Sequence, residues 1–175
     1  IKSIKVNMVV MKGFNNDEIT DFVELTKNND ITVRFIELMP FDSHQIWKTG
    51  KFYRADHIVN DLRSHYRTLS PVKGSATEYY IFKIKECTGK VAVIPSYTRS
   101  LCSACNRIRV TADGNLLNCL YSRSGTNMRD AIRNGMKDEG LKKLIVGSMQ
   151  KKLKDGLIAQ NHGNDLRDSM TQIGG

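Results

Sequence analysis

The chain opens with hydrophobic residues at every second position, namely Ile4, Val6, Met8 and Val10. This alternation predicts a β-strand. After a break at residues 13–16, Ile19, Phe22, Val23 and Thr26 follow helical spacing. Asn16 is the expected cap of this helix, and residues 31–39 predict a second strand. Because two strands joined through a helix are usually parallel, this part of the chain predicts a strand–helix–strand unit.

A parallel strand needs cover on both faces, so such a unit belongs to a larger sheet. We therefore expect the beginning of the sheet to precede this sequence, which starts at Ile1 and not at a methionine. Further along, the pattern predicts a helix at 54–66, strands at 79–84 and 90–94, a hairpin at 107–120 and helices at 127–134 and 139–154. The last twenty or so residues are polar and lack periodicity.

Composition and charge indicate a protein with a hydrophobic core and a basic surface. The sequence has 175 residues, of which 40% are hydrophobic, so it can bury a core as one domain or part of one. No apolar run approaches the ~18 residues that would cross a bilayer, and no secretory signal is present. A formal charge of +9 favours anionic partners such as nucleic acid or phosphorylated small molecules. The alternative is that the charge only makes the surface basic. The densest basic cluster, Lys151, Lys152 and Lys154, lies late in a predicted helix, where cations suit the helix dipole.

Four cysteines, Cys87, Cys102, Cys105 and Cys119, carry the candidate chemistry. A C-x2-C pair without a secretory signal is typical of a metal or redox site. Residues 112–114, Ala-Asp-Gly, suit a three-residue hairpin loop that pairs Thr111 with Asn115. Paired residues share a face, so this register predicts Cys105, Arg107, Arg109 and Cys119 on one face. A two-residue turn would instead send Cys119 to the other side.

Three cysteines can hold zinc, an iron–sulfur cluster or nothing. Structural zinc prefers four ligands and would need Cys87 or a histidine. Cys87 is more commonly explained as an unligated thiol, because free cysteines behave as small hydrophobic residues. A cluster on three thiolates leaves one iron open to a substrate. Arg107 and Arg109 would add charge beside that iron, or would simply be solvated strand residues.

Three segments resemble one known family. The segment C-x-x-C-N-R-I-R-x-T-A-D-G-x-L-x-x-C, from Cys102 to Cys119, resembles the carboxyl-terminal cluster motif of the GTP 3′,8-cyclase family. The segments V-N-M-V-V-M-K-G-F-N-x-x-E-I and V-R-F-I-E-L-M-P resemble later barrel strands of the same family. The likeness runs from about Ile1 to Lys152, and Gly174-Gly175 resembles the family's double-glycine end.

The resemblance implies a radical S-adenosylmethionine enzyme that converts GTP to 3′,8-cyclo-7,8-dihydro-GTP, the first step of molybdenum cofactor (molybdopterin) biosynthesis. It implies an α/β fold, with residues 1–70 forming the last βα units of an incomplete parallel barrel. Residues 71–175 would form an α+β region with a cysteine-bearing hairpin that binds a 4Fe–4S cluster and GTP. S-adenosylmethionine and a first 4Fe–4S cluster belong to an amino-terminal C-x3-C-x2-C motif. That motif is absent from this sequence, so we expect this chain alone to be inactive.

The resemblance also implies the site residues. The ligands of the second cluster are Cys102, Cys105 and Cys119, while Arg107 and Arg109 lie beside the substrate. Lys5 and Arg34 contact GTP, and Gly174 and Gly175 reach the active site. In a barrel, Lys5 and Arg34 would face the lumen, since each interrupts hydrophobic positions of its strand; the alternative is an exposed strand edge. Asn7 shares the face of Lys5.

The implied partners are GTP and the next enzyme of molybdopterin synthesis, with a homodimer left open and neither membrane nor nucleic acid involved. The implied location is the bacterial cytoplasm or the mitochondrial matrix, not the exterior. A hypothesis from another class is a zinc-stabilised basic nucleic-acid-binding module that uses Cys87 as a ligand. A third is an inactive scaffold whose thiols stay empty.

Overall fold

The computed structural model describes residues 3–39, 49–73, 80–98, 105, 107–122, 125–153 and 158. The chain divides into two compact units. The first unit contains residues 1–40 and 46–99, and the second contains residues 41–45 and 100–175. No helix in the described ranges is long and apolar enough to cross a membrane.

The first unit is built on a five-stranded mixed sheet. Its strands are β1 (Ile4–Val10), β2 (Ile31–Glu37), β3 (Ser70–Val72), β4 (Tyr80–Lys83) and β5 (Lys90–Ile94). They lie in the order β1-β2-β5-β4-β3. The three strands β1, β2 and β5 run parallel, whereas β5, β4 and β3 are joined antiparallel. The predicted parallel pairing of the first two strands is therefore confirmed, and β3 is an addition to the sequence prediction.

Helices cover one face of this sheet. A single 3-10 turn (Asn16–Glu18) leads into α1 (Ile19–Glu24), and α2 (Ala55–His65) follows β2. A continuous core is formed by residues that include Val10, Val23, Val33, Phe35, Ile58, Leu62, Val91 and Val93. The predicted cap of α1 is wrong, because the Asn16 side chain accepts a hydrogen bond from the Gly13 amide and does not cap the helix.

The face of β1 that points away from this core is exposed at Lys5, Asn7 and Val9. The neighbouring residues of β2 on the same face are Thr32, Arg34 and Ile36, through the register that pairs Lys5 with Thr32 and Asn7 with Arg34. The α/β class is thus confirmed. The incomplete barrel and the division at residue 70 stay predictions.

The second unit contains a smaller antiparallel sheet and two helices. The strands β6 (Arg109–Val110), β7 (Asn115–Leu117) and β8 (Thr126–Asn127) lie in that order. The helices are α3 (Met128–Arg133) and α4 (Asp138–Gln150). Gly135 ends α3 with a φ of 77°, as predicted, whereas α4 ends before the expected residue 154. The strand β8 is an addition to the prediction.

Candidate functional site

The hairpin between β6 and β7 turns through the three-residue loop that the sequence predicts. The Thr111 amide donates to the Asn115 carbonyl at 3.0 Å, and the Gly114 amide donates to the Thr111 carbonyl at 2.9 Å. Gly114 has a φ of 84°, in the left-handed region that favours glycine. An added Cβ at Gly114 would also lie 2.5 Å from the Cβ of Arg129. Two separate constraints therefore require glycine at this position.

The side chains of the loop support the same turn. The Thr111 hydroxyl accepts from the Asn115 amide at 2.9 Å and donates to the Asp113 carboxylate. The Asn115 side-chain amide donates to the other Asp113 oxygen at 2.6 Å. These bonds, with Thr111 as the largest contributor, hold the pKa of Asp113 below its usual value. The loop conformation is thus encoded locally.

The register of the hairpin brings the candidate residues towards one face. Arg109 pairs with Leu117 and Val110 pairs with Leu116. Regular pairing ends there, and continuing the same register places Arg107 opposite Cys119. The predicted register is therefore confirmed at the loop and at both strand pairs.

The pKa of Arg109 responds to Arg107, Cys105 and Cys119. Burial lowers its pKa, the charge of Arg107 lowers it further, and negative charge on the sulfur atoms of Cys105 and Cys119 opposes both effects. The strand register brings Arg107 and Cys119 towards the face of Arg109, and the Lys152 ammonium contacts both the Cys105 sulfur and the Arg107 carbonyl oxygen. Two cysteines and two arginines therefore lie in one neighbourhood of the second unit.

Cys105 is half-buried and receives two N–H donors. Lys152 Nζ lies 3.3 Å from the Cys105 sulfur and donates to the Arg107 carbonyl oxygen at 3.0 Å. Burial of Cys105 acts to raise its pKa, but hydrogen bonds from the Arg107 backbone amide and from Lys152 outweigh burial and lower the pKa. Such a site favours the thiolate, the form that binds metals.

Lys152 was missed as a site residue. The sequence signal was its place in the densest basic cluster, which we interpreted only as a complement to a helix dipole. The residue in fact lies just beyond the end of α4, and its contacts with Cys105 and Arg107 span 47 and 45 positions.

The remaining candidates are the other two cysteines and the final glycines. Cys102, Gly174 and Gly175 lie outside the described residues. Within the described part of the chain, no three His, Cys, Asp or Glu side chains are grouped to hold a metal ion. Cys87 is 8% exposed and packs in the hydrophobic core of the first unit. This environment suits an unligated thiol.

On the first unit, Lys5 and Arg34 lie on the sheet face opposite the core. The Arg34 Nε donates to the Asn7 Oδ1 at 2.7 Å, across the pair that the strand register sets. The sequence places Asn7 on the face of Lys5. The structure adds that Asn7 orients the guanidinium of Arg34.

A buried carboxylate at the end of β2 was also missed. Glu37 is fully buried and accepts four hydrogen bonds. Its Oε1 accepts from the Ala55 amide at 2.6 Å and the Thr98 hydroxyl at 2.7 Å. Its Oε2 accepts from the Tyr97 and Thr98 amides, both at 2.9 Å. Glu37 thereby links β2, the first residue of α2 and the turn after β5. Its sequence signal was an acid within a hydrophobic run, between Ile36 and Leu38.

These features define an α/β protein with a basic sheet face on one unit and a cysteine–arginine hairpin on the other. Residues 31–157 match the family described as Molybdenum Cofactor Synthesis C. The chain belongs to this family. The resemblance to the carboxyl-terminal portion of GTP 3′,8-cyclases is thereby confirmed, and membership supports a role in molybdenum cofactor synthesis.

Similar proteins from bacteria and eukaryotes are also named for molybdenum cofactor synthesis or for GTP 3′,8-cyclase. The chain is 43% identical over 173 residues to a GTP 3′,8-cyclase of Chlorobaculum tepidum, covering 99% of this chain and 52% of the relative. It is 39% identical over 150 residues to a mitochondrial GTP 3′,8-cyclase of Arabidopsis thaliana, covering 85% and 38%. It is 37% identical over 150 residues to molybdenum cofactor biosynthesis protein 1 of Homo sapiens, covering 85% and 23%. The chain thus spans about half the length of the bacterial relative and less of the others.

Proposed function

We propose that this chain is the carboxyl-terminal part of a GTP 3′,8-cyclase, where it holds the second 4Fe–4S cluster and GTP. The observation that carries the proposal is the hairpin register that brings Arg107, Arg109 and Cys119 towards one face, with Cys105 joined to Arg107 through Lys152. Cys102 would complete the ligand set, since it precedes Cys105 by the C-x2-C spacing.

The described residues fit such a cluster. Cys105 and Cys119 are half-buried and form no disulfide, and N–H donors surround the Cys105 sulfur. Thiolates with hydrogen-bond donors around them are the usual environment of iron–sulfur clusters. When bound, a cluster on three thiolates offers one iron to a non-protein ligand.

The arginines would bind and orient the substrate. A guanidinium presents several fixed donors to oxygen or nitrogen acceptors. Arg109 is the more buried of the pair, so its charge is less screened by water than that of Arg107. We propose that both contact GTP beside the cluster.

On the first unit, we propose that Lys5 and Arg34 contact GTP from the exposed sheet face. Phosphates are the natural partners of such cations, and Asn7 keeps Arg34 in a defined orientation through its 2.7 Å hydrogen bond. We further propose that this sheet is the last part of an incomplete barrel, and that Gly174 and Gly175 approach the active site.

The whole reaction would require the part of the enzyme that precedes this sequence. That part would carry the first 4Fe–4S cluster and S-adenosylmethionine on a C-x3-C-x2-C motif, which this sequence does not contain. We propose that this chain does not by itself convert GTP to 3′,8-cyclo-7,8-dihydro-GTP. The next enzyme of molybdopterin synthesis would receive the product, in the bacterial cytoplasm or the mitochondrial matrix.

Anaerobic reconstitution of this chain with iron and sulfide tests the proposal. We expect brown protein with broad absorption near ~400 nm and near-equal iron and sulfide. Single substitutions C102A, C105A and C119A are each expected to lower iron content. Cys87→Ala is the matched control, because it removes one thiol from the first unit, and we expect it to keep parental iron.

A different metal would reject the proposal. Colourless protein with about one zinc, lost together with Cys87, would favour the zinc-stabilised nucleic-acid-binding module. With the cluster present, R107M and R109M should retain iron and weaken GTP binding. Parental GTP affinity in both variants would contradict the role of the two arginines.

A further inference from the structure

We propose that Lys152 is a positioning residue of the cluster site, where its ammonium group holds Cys105 and the Arg107 carbonyl in place and raises the reduction potential of the bound cluster. This inference rests on the proposed function, because it requires Cys105 to be a cluster ligand.

One ammonium group contacts two points of the cysteine segment. Lys152 Nζ lies 3.3 Å from the Cys105 sulfur and 3.0 Å from the Arg107 carbonyl oxygen. An ammonium has three donors and no acceptor, so it can hold both acceptors at once. Cys105 and Arg107 are thereby joined through a single side chain.

The backbone that carries Lys152 is itself held against the same hairpin. The Lys152 amide donates to the Met149 carbonyl of α4 at 3.1 Å. One turn earlier, the Ser148 carbonyl accepts from the Asn118 side-chain amide at 2.8 Å. Asn118 directly precedes Cys119. The end of α4 therefore connects the region of Cys119 to Cys105 through Lys152.

This arrangement has a defined electrochemical consequence. Reduction adds one negative charge to an iron–sulfur cluster, and hydrogen bonds to the sulfur atoms are among the factors that set its potential. A cationic donor at a ligand sulfur stabilises the more negative, reduced form more than the oxidised form. Loss of Lys152 should therefore make the potential more negative.

The test is a potentiometric titration of the reconstituted 175-residue chain and three variants. K152M removes the charge and both hydrogen bonds, while K152R keeps a cation with several donors. K151M removes the same charge from the adjacent position and is the matched control. We expect K152M to reduce the equilibrium constant for one-electron reduction roughly tenfold, a shift of about −59 mV. K152R and K151M should stay much closer to the parental potential.

Hydrogen exchange in the metal-free chain separates positioning from folding. We expect K152M to speed amide exchange in residues 107–110 and to leave exchange in β2 unchanged, with K152R close to the parental rates. Equal exchange in the parent and K152M would overturn the positioning role.

The results distinguish this inference from the proposed function. A parent that binds the cluster, with equal potentials in K152M and K151M, would overturn the inference alone. A K152R potential as low as that of K152M would overturn it as well, since a retained cation should act similarly. A parent that binds no cluster would overturn both.

Discussion

The two units differ in how much apolar side chain each buries. In the first unit, β1 and β2 have seven residues each, and a continuous core joins the sheet to α1 and α2. In the described part of the second unit, the strands have two or three residues, and Leu116 and Leu117 are the buried hydrophobic side chains. Its helices bury only Ser148 between them.

The difference indicates two sources of order. A unit with a large core is held by apolar burial, whereas one with a small core depends more on local turn chemistry, hydrogen bonds and bound groups. The candidate cluster site lies in the second kind of unit. Substitutions should therefore act through packing in the first unit and through turns and caps in the second.

The largest effect should come from the core of the first unit. Phe35 is fully buried, so Phe35→Ala leaves a cavity and should lower the free energy of unfolding of this unit by about 3–5 kcal/mol. Urea denaturation measures the loss. Phe14→Ala is the control, since Phe14 is 62% exposed and makes a cation–π contact with Lys51, and should cost less than about 1 kcal/mol. Equal losses would mean that burial does not stabilise this unit.

A smaller loss is expected at the buried carboxylate. Glu37→Gln keeps the shape of the side chain but replaces one carboxylate oxygen with an NH2 group. That NH2 group then faces N–H or hydroxyl groups that donate to the oxygen in the parent. We expect the first unit to lose about 2–3 kcal/mol, because hydrogen bonds to a charged group are strong and an unmatched buried donor is costly. Glu24→Gln, at a surface ion pair with Lys27, should cost less than about 0.5 kcal/mol. A negligible loss in E37Q would show that the four hydrogen bonds do not stabilise the fold.

The parts of the structure that the sequence predicts are those that depend on neighbours along the chain. Period-two alternation predicted β1, and an Ala-Asp-Gly turn predicted the hairpin register, because a left-handed glycine suits that loop. β3 was missed, since Ser70, Pro71 and Val72 do not alternate and proline is unusual in a strand. Proline is tolerated there because β3 lies at the edge of the sheet.

The site contacts that were missed join residues far apart in sequence. Lys152 reaches Cys105 across 47 positions, and Glu37 reaches Thr98 across 61. A hydrophobic pattern reports which residues are buried but not which distant polar group meets them. Lys152 was classified by its local helix, and Glu37 was passed over within a strand, because only tertiary packing gives either residue its partners.

The third prediction tests whether the turn orders the second unit. Gly114→Ala forces a left-handed φ on a side chain and brings its Cβ within 2.5 Å of the Cβ of Arg129. We expect a loss of about 2 kcal/mol, somewhat above the cost of the left-handed conformation alone. Gly135→Ala is the matched control, because Gly135 has a φ of 77° but no atom within 4 Å of an added Cβ; it should lose about 1 kcal/mol. Thermal unfolding monitored at the second unit measures both, and equal losses would mean that the contact with Arg129 relaxes freely.

The smallest predicted effect concerns the start of α3. The Asn127 side chain accepts from the Asp130 amide at 2.9 Å, which satisfies one of the donors that a helix start leaves unpaired. Asn127→Ala should cost about 1 kcal/mol, whereas Asn127→Asp keeps an acceptor and should cost much less. The corresponding change in the first unit, Asn16→Ala, removes a bond to the Gly13 amide and not a helix cap. If helix content falls in N127A and is retained in N16A, the second unit depends on its cap more than the first depends on its polar turn. An equal fall in both would mean that local capping does not distinguish the two units.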